Sequence, residues 1–196
     1  MCGRYFIDLA LASEELREAI EALQRHGGEP VKTGEIRPGD RTVVVARSRS
    51  GKVRSFAMRW GFKPPKGRLV INARGETAAS SPMFSESMIA RRCLLPATAY
   101  FEWEKREAGK VKHEIMPEGL RGFYIAGLYR YEAGEPVFVV LTRDAAPDIS
   151  HIHDRMPVLL AGGAARAWLN PRAAAQDVIA ASLTGIAFRE AEEGEA

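Results

Sequence analysis

The stretch FYIAGLYRYEAGEPVFVVLTR, residues 123–143, contains the pattern that decides the fold class. Its two halves, residues 123–131 and 137–143, are rich in aromatic and β-branched side chains, and Ala133-Gly134 lies between them. Two such runs joined by a short glycine-containing turn are typical of a β-hairpin. We therefore predict two antiparallel strands in this stretch.

Similar runs occur on the amino-terminal side of this hairpin. Strands are predicted at residues 42–46, 53–60, 93–96, 99–105 and 111–115, with turn residues at 48–51. Four helices are predicted from capping residues and apolar spacing: one from the cap Ser13 to about Arg25 with Gly27 at its end, one from Ser81-Pro82 to about Arg91, one from Gly162-Gly163 through Trp168, and one from Pro171. Many strands with few helices predict an α+β fold in a single domain, with residues 2–189 folded and 190–196 an acidic, disordered tail.

Composition is that of an ordinary globular chain. It has 196 residues, of which 46% are hydrophobic and 27% charged, with two cysteines and a net charge of +3. So few cysteines argue against a secreted disulfide scaffold. No signal peptide and no apolar run long enough to span a membrane is visible. We expect a cytoplasmic, monomeric protein.

Basic residues are concentrated in one part of the chain. Residues 41–74 contain no Asp or Glu and ten basic residues: Arg41, Arg47, Arg49, Lys52, Arg54, Arg59, Lys63, Lys66, Arg68 and Arg74. Such a run indicates either a nucleic-acid surface or a solvated face. Composition alone leaves both interpretations open.

Cys2 is the residue with the most distinctive chemistry. Removal of Met1 would leave Cys2 with a terminal amine of pKa about 8 beside a thiol of pKa about 8.5. An aldehyde condenses with the amine to an imine, and the thiol closes on the same carbon to give a thiazolidine. No interior residue offers this pair of nucleophiles. The competing interpretation is a terminal residue without a chemical role.

Three polar islands add candidates for acid–base chemistry. They are Ile71-Asn72-Ala73-Arg74-Gly75-Glu76-Thr77, Tyr100-Phe101-Glu102-Trp103 and His151-Ile152-His153-Asp154-Arg155-Met156-Pro157. Glu102 lies among aromatic residues, which favours desolvation and a raised pKa. One of the two histidines of the third island can serve as acid or base. Cys93, in an apolar run, is expected to be a buried residue.

Other catalytic classes lack their signatures. The four histidines and two cysteines show no CxxC or HExxH spacing, and there is no GxSxG elbow or phosphate-binding glycine loop. We therefore predict no metal and no cofactor.

Taken in order, several motifs resemble the SRAP family of abasic-site processing proteins. The matching residues are Met1-Cys2-Gly3-Arg4-Tyr5, Trp60-Gly61-Phe62, residues 71–77, Arg91-Arg92-Cys93-Leu94-Leu95-Pro96, Tyr100-Phe101-Glu102-Trp103 and His153-Asp154-Arg155-Met156-Pro157. The match runs from the amino terminus to about Leu160. Each motif is modest alone, whereas the ordered set is highly specific.

The resemblance implies a barrel-like core of antiparallel strands with a basic cleft for single-stranded DNA. It implies that Cys2 forms a thiazolidine with the aldehyde of an abasic sugar. Asn72 then orients the linkage, Glu102 acts as acid and base, and His153 handles protons at the sugar. Crosslink reversal, strand-cleaving lyase activity and autopeptidase activity stay open.

The resemblance also implies a DNA-contacting set. Arg4 and Arg74 match positions that contact phosphates, and Trp60 matches a position that stacks on DNA. The partner expected is single-stranded DNA with abasic sites. The segment Glu35-Ile36-Arg37-Pro38-Gly39-Asp40 departs from the family's usual Asn-x-Ala-Pro, and Pro96-Ala97-Thr98-Ala99-Tyr100 departs from its usual approach to Glu102.

Two alternatives to covalent capture are retained. A cysteine-type autoprotease or peptidase would use Cys2, His153 and Asn72 as a thiol-protease set. A non-catalytic single-strand-binding module would use only the basic run. Blocking the α-amine would spare the protease, and loss of Cys2 would leave the binding module unaffected.

Overall fold

The computed structural model describes residues 2–25 and 30–191, which form two β-sheets with short helices around them. The strands are β1 (Arg4–Ile7), β2 (Gly34–Ile36), β3 (Arg41–Arg47), β4 (Val53–Trp60), β5 (Asn72–Arg74), β6 (Arg92–Ala97), β7 (Ala99–Arg106), β8 (Gly109–Pro117), β9 (Phe123–Glu132), β10 (Glu135–Asp144), β11 (Arg155–Pro157), β12 (Leu159–Leu160) and β13 (Ile186–Glu190). The helices are α1 (Glu14–Arg25), α2 (Ser85–Ala90), α3 (Gly162–Leu169) and α4 (Ala175–Ala180), with a 3-10 turn at Pro147–Ile149. Strands hold 44% of the residues and helices 18%, which confirms the predicted α+β class.

The predicted hairpin of residues 123–143 is confirmed as β9 and β10. Glu132 faces Glu135 across the turn. Ala133 and Gly134 both have positive φ angles, 49° and 87°. Positive φ at both central residues defines the tight hairpin turn whose twist matches that of the flanking strands. A short turn followed by long paired strands makes this hairpin the centre of the larger sheet.

The larger sheet closes on itself. β10 pairs with β4, β4 with β3, β3 with β6, β6 with β9, and β9 again with β10. Closure leaves no exposed edge within this ring. The strands are mostly antiparallel, as predicted, but β10 runs parallel to β4 and to β5. The parallel pairing sets Asn72 opposite Val140 of the central hairpin.

The second sheet has the order β13-β8-β7-β1-β2 and carries the amino terminus. The antiparallel pairing of β1 with β7 places Tyr5 opposite Tyr100. Three strands of this sheet, β1, β2 and β13, were not predicted from the sequence. Each is short, and each is held by a neighbour that is distant in sequence.

Both faces of the middle of β10 are buried. Along β10, Phe138 and Val140 face one hydrophobic cluster, whereas Val139 and Leu141 face a second. The first cluster includes Cys2, and the second is completed by Trp168 of α3. Burial on both faces explains why β10 reads as a continuous apolar run rather than an alternating one. Cys93 is fully buried in the first cluster, as predicted.

Helix starts were predicted with mixed success. Ser13 Oγ accepts a hydrogen bond from the Leu16 N–H at 3.3 Å, which confirms the predicted cap of α1. Gly27, predicted to end this helix, lies outside the described residues. The helix predicted at Ser81-Pro82 begins only at Ser85, because Ser81 closes a turn by accepting the N–H groups of residues 84 and 85.

The last helix also begins later than predicted. Pro171 lies in a turn, and α4 begins at Ala175. Two acceptors on Asn170 hold this turn: its carbonyl accepts the Ala173 N–H, and its side chain accepts the Arg172 N–H. A proline can therefore begin a turn as well as a helix.

The carboxyl-terminal segment divides at β13. Glu190 belongs to this strand and faces His113 of β8, so the first residue of the predicted acidic tail is paired. The Ala191 N–H donates to the Lys112 carbonyl at 2.8 Å, so the second residue of that tail is also bound. Residues 192–196 lie outside the described residues. No helix in residues 2–25 or 30–191 is long and apolar enough to cross a membrane.

Candidate active site

Cys2 lies two residues before the start of β1, inside the hydrophobic core. Its side chain is fully buried, and its thiol donates a hydrogen bond to the Arg4 carbonyl oxygen, with Sγ 3.6 Å away. Burial raises the pKa of the thiol above its usual range, and the negative charge of Glu102 raises this pKa further. Cys2 therefore carries a neutral thiol next to an acidic side chain.

Asn72 binds the backbone of Cys2 directly. Its Nδ2 donates to the Cys2 carbonyl oxygen at 3.0 Å, across 70 positions of sequence. Its Oδ1 is buried, and no hydrogen-bond partner for this atom is found among the described residues. A buried acceptor without a partner is uncommon in folded proteins and marks a place where a ligand can bind. The parallel strand β5 thus holds the amino-terminal segment and offers one more polar atom.

Glu102 is the buried carboxylate of this region. It lies on β7, only 5% exposed. The register that pairs Arg4 with Phe101 places Cys2 beside Glu102 and Trp103. Burial raises the pKa of Glu102, and the charge of Asp154 raises this pKa as well. The desolvation expected from the surrounding aromatic residues is therefore confirmed.

Tyr100 lies two residues before Glu102 on the same face of β7. It is fully buried, and its hydroxyl has no hydrogen-bond partner in the part of the chain that the structure describes. Burial raises the pKa of Tyr100, and the negative charge of Glu102 raises it further. The hydroxyl is therefore a neutral donor beside the two reactive groups.

His153 lies on the loop before β11, partly exposed. Its Nδ1 is 3.0 Å from the Arg155 N–H and 2.7 Å from Oδ1 of the exposed Asp154. A neutral ring accepts the first hydrogen bond and a protonated ring donates the second, so Nδ1 has a partner in either state. Burial lowers the pKa of His153, and the nearby positive charge of Lys105 lowers it too. The ring is therefore a neutral base near pH 7.

A basic and aromatic surface adjoins Cys2. Arg4, Trp103, Gly3 and Lys110 line a depression of about 260 Å³. The Arg4 guanidinium lies over the Trp103 ring, 4.9 Å from its centroid. Arg4 also donates to Oε1 of the buried Glu35 at 3.0 Å. These contacts fix the cation and the ring beside the amino terminus.

Glu35 anchors several cations of this surface. Oε1 also binds Arg37 at 2.7 Å, and Oε2 binds Lys112 at 2.8 Å. Burial alone would raise the pKa of Glu35, but hydrogen bonds from Lys112 and Arg37 hold it below its usual value. The segment of residues 35–40, where the sequence departs from the family pattern, therefore supplies the counter-ion of Arg4.

Two of the predicted DNA-contacting residues lie in different environments. Arg74 is exposed on β5, two residues from Asn72 and on the same face of the strand. Trp60 is fully buried, its indole N–H donates to the Ile71 carbonyl at 2.9 Å, and its ring stacks on Phe138. The prediction that Trp60 stacks on DNA is therefore wrong, because no face of the ring is accessible. Trp103 is the accessible tryptophan near Cys2.

The structure thus brings together Cys2, Asn72 and Glu102. The loop of His153 lies close enough for the charge of Asp154 to raise the pKa of Glu102. Sequence reasoning did not assign Trp103, although it follows Glu102 directly. Among the described residues, no group of three or more His, Cys, Asp or Glu side chains is placed to hold a metal ion.

Comparison with known proteins identifies the family. The family model described as SOS response associated peptidase (SRAP) matches residues 1–192. The chain belongs to the SRAP family. The resemblance found in the sequence motifs is thereby confirmed over nearly the whole chain.

Curated relatives of this SRAP protein cover most of its length. It is 30% identical to the abasic site processing protein YedK of Escherichia coli (strain K12), with 94% of this chain and 86% of the relative covered. It is 29% identical to the abasic site processing protein YoaM of Bacillus subtilis (strain 168), with 93% and 85% covered.

Solved structures show the same fold as this SRAP protein. A phage-related protein from Bordetella bronchiseptica superimposes with a TM-score of 0.77 at 24% identity, covering 98% of this chain and 95% of that one. A Bacteroides thetaiotaomicron protein gives 0.73 at 23% identity, covering 97% and 92%.

Proposed function

We propose that this SRAP protein processes abasic sites in single-stranded DNA by covalent capture through Cys2, after Met1 has been removed. The names of its curated relatives support the substrate class. The observation that carries the mechanism is the convergence on Cys2 of the Asn72 amide and the Glu102 charge. No cofactor is required, because all reacting groups come from the protein and the sugar.

The proposed reaction condenses one aldehyde with one aminothiol. The α-amine of Cys2 adds to the aldehyde carbon of the ring-opened abasic sugar, and the adduct loses water to form an imine. The thiol sulfur then adds to the imine carbon, and its proton passes to the nitrogen. The product is a thiazolidine plus one water molecule, without change of oxidation state. Holding the three groups together is the main contribution of the protein.

Asn72 and Glu102 have distinct roles in this reaction. The Asn72 amide holds the Cys2 carbonyl, which limits rotation of the amine and thiol. The thiol pKa is raised by burial, so ring closure needs a base. The Glu102 carboxylate lies beside the thiol and, with its own raised pKa, is a stronger base than an exposed carboxylate.

His153 is proposed to move protons at the sugar. A ring that is neutral near pH 7 can accept the hydroxyl proton whose loss opens the cyclic sugar to the aldehyde. Asp154 then stabilises the charged ring through Nδ1. The same step in reverse would let the sugar close again, so crosslink reversal uses the same residue.

The DNA strand is proposed to lie over the surface of Arg4, Trp103, Lys110 and Arg74. Arginine and lysine neutralise phosphates without reading sequence, and an exposed indole stacks on any base. Arg4 and Trp103 are already held against each other. This arrangement gives sequence-tolerant binding next to the reacting residue.

The peptidase alternative fits the thiol less well. A cysteine protease needs a thiolate, whose pKa is lowered by a neighbouring cation. Here burial and Glu102 raise the thiol pKa, and the thiol hydrogen bond goes to the Arg4 carbonyl. Asn72 binds the Cys2 backbone, whereas a triad would use it to orient the histidine.

The test is a denaturing gel of the protein with a single-stranded oligonucleotide containing one abasic site. We expect a heat-stable, slower-migrating band with wild type and no band with Cys2→Ala. Mass spectrometry of the same sample checks that Met1 is absent. Selective acylation of the Cys2 amine should also abolish the band, whereas a thiol-only mechanism would survive it. A fully processed wild type that binds the DNA without forming the band would overturn the proposal.

A further inference from the structure

A groove of about 700 Å³ lies outside the site of Cys2, Asn72, Glu102 and His153 and shares no lining residue with it. It is formed by the β3–β4 turn, the end of α2 and the β9–β10 hairpin. Its volume falls within the range of ligand-binding clefts, roughly 300–1,000 Å³. The covalent capture proposed above does not use it.

The lining of this groove is positively charged. It includes four arginines, Arg47, Arg49, Arg91 and Arg92, and no Asp or Glu. Arg91 pairs with the exposed Glu86 at 2.9 Å. Within residues 2–25 and 30–191, the other three have no carboxylate ion-pair partner. A concave surface with one sign of charge attracts ligands of the opposite sign.

Two of these guanidinium groups are held in place. Arg47 donates through Nε to the Leu169 carbonyl at 2.9 Å and through Nη1 to the Gly51 carbonyl at 2.7 Å. Arg92 donates to the carbonyls of Met88 and Ala173. Carbonyl partners fix the geometry of the groups and leave their charge unneutralised. A cation that is already ordered loses less entropy when it binds an anion.

Apolar side chains complete the groove. Ile89 is 72% exposed although it is a large aliphatic residue, and Tyr131 is 54% exposed. Tyr129 packs edge-to-face against Tyr131, with ring centroids 6.2 Å apart. Exposed apolar residues rimmed by charge are typical of protein interaction sites.

We propose that this groove binds an acidic peptide segment of a partner protein. A leucine or phenylalanine of the peptide enters between Ile89 and Tyr131, and neighbouring carboxylates of the peptide bind Arg47 and Arg49. Ile89, Met58 and Leu169 lie in the groove beside the two tyrosines, and we favour a peptide over a nucleic acid because aliphatic side chains can pack on a leucine but offer no face on which a base stacks. Because the groove is separate from Cys2, a bound partner leaves capture possible.

The probe is a fluorescein-labelled hexapeptide of four aspartates followed by leucine and phenylalanine, titrated with the full chain and followed by polarisation. We expect saturable binding that weakens with salt and is lost when serines replace the aspartates. Arg49→Ser and Ile89→Ser should each weaken binding by about tenfold. Arg54→Ser removes an exposed cation of β4 that does not line the groove and should change nothing.

Two further measurements separate this proposal from its competitors. The Arg49 and Ile89 variants should still form the abasic-site crosslink at the wild-type rate, which shows that they fold and that the two sites are independent. A hexathymidylate should not displace the peptide. Absent peptide binding, equal binding by all variants, or hexathymidylate binding that depends on Arg49 would each overturn the proposal.

Discussion

Replacement of Asn72 tests the contact on which the proposed mechanism depends. Asn72→Ala removes the hydrogen bond from Nδ2 to the Cys2 carbonyl and leaves that carbonyl without this donor. An unsatisfied buried group costs about 1–3 kcal/mol. If the hydrogen bond serves to orient Cys2, the same energy appears in the activation barrier. The capture rate should therefore fall by about 5-fold to 150-fold.

The comparison needs variants of matched stability. Asn72→Asp keeps the shape but places a carboxylate oxygen against the Cys2 carbonyl, so it should be slower than Asn72→Ala. Ser87→Ala removes a hydrogen bond to the Tyr129 carbonyl away from the site, and it should lower stability without slowing capture. Single-turnover gels give the rates and urea unfolding gives the stabilities. A wild-type rate in Asn72→Ala, or equal slowing in Ser87→Ala, would refute the orienting role.

Four other predictions concern Trp103, Glu102 and His153. Trp103→Ala should weaken binding to an intact single-stranded oligonucleotide by about 5-fold to 150-fold in anisotropy titrations, the equivalent of about 1–3 kcal/mol of stacking. The control Trp60→Phe should lower the free energy of unfolding by about 1 kcal/mol and leave the affinity for DNA unchanged. Burial raises the pKa of Glu102. The wild-type capture rate should therefore fall as the pH is lowered, with a midpoint above the usual glutamate pKa of ~4.3, and Glu102→Gln should abolish this pH dependence. Because folding raises the pKa of Glu102, this residue contributes fully to stability below about pH 4.3, and the contribution is lost as the pH rises through its folded-state pKa. Glu102→Gln should therefore be more stable than wild type at pH 7 in thermal melts. Burial lowers the pKa of His153, so an NMR titration of its ring should have a midpoint below about 6.5.

Strand composition predicted the central part of the fold because the signal there is local. The β9–β10 hairpin has long β-rich runs and a glycine at one of the two central turn positions, both of which have positive φ. The pairing of β10 with β4 was beyond prediction, since parallel partners are joined by long connections and leave no turn signature. The strand β1 has only four residues and depends on β7, almost 100 positions away.

The two tryptophans show why site prediction was incomplete. Trp60 follows Arg59, whereas Trp103 lies between two glutamates, and neither setting shows which ring is accessible in the fold. Trp60 ends a strand of the ring, where the parallel neighbour β10 sets Phe138 against it. Trp103 lies on the second sheet, beside Arg4. Accessibility was decided by strand topology, which the sequence does not reveal.

Burial makes the Cys2 thiol less reactive by itself and makes the Glu102 carboxylate more basic. A raised thiol pKa slows premature oxidation or alkylation, because the thiolate is the reactive form. The same burial raises the basicity of Glu102, which then removes the thiol proton when the imine carbon is in place. Once the thiazolidine has formed, reopening needs a proton on its ring and water at its carbon. A buried site restricts the water and leaves Glu102 as the proton donor, so the proposed mechanism uses Glu102 at the thiazolidine in both directions, as it uses His153 at the sugar.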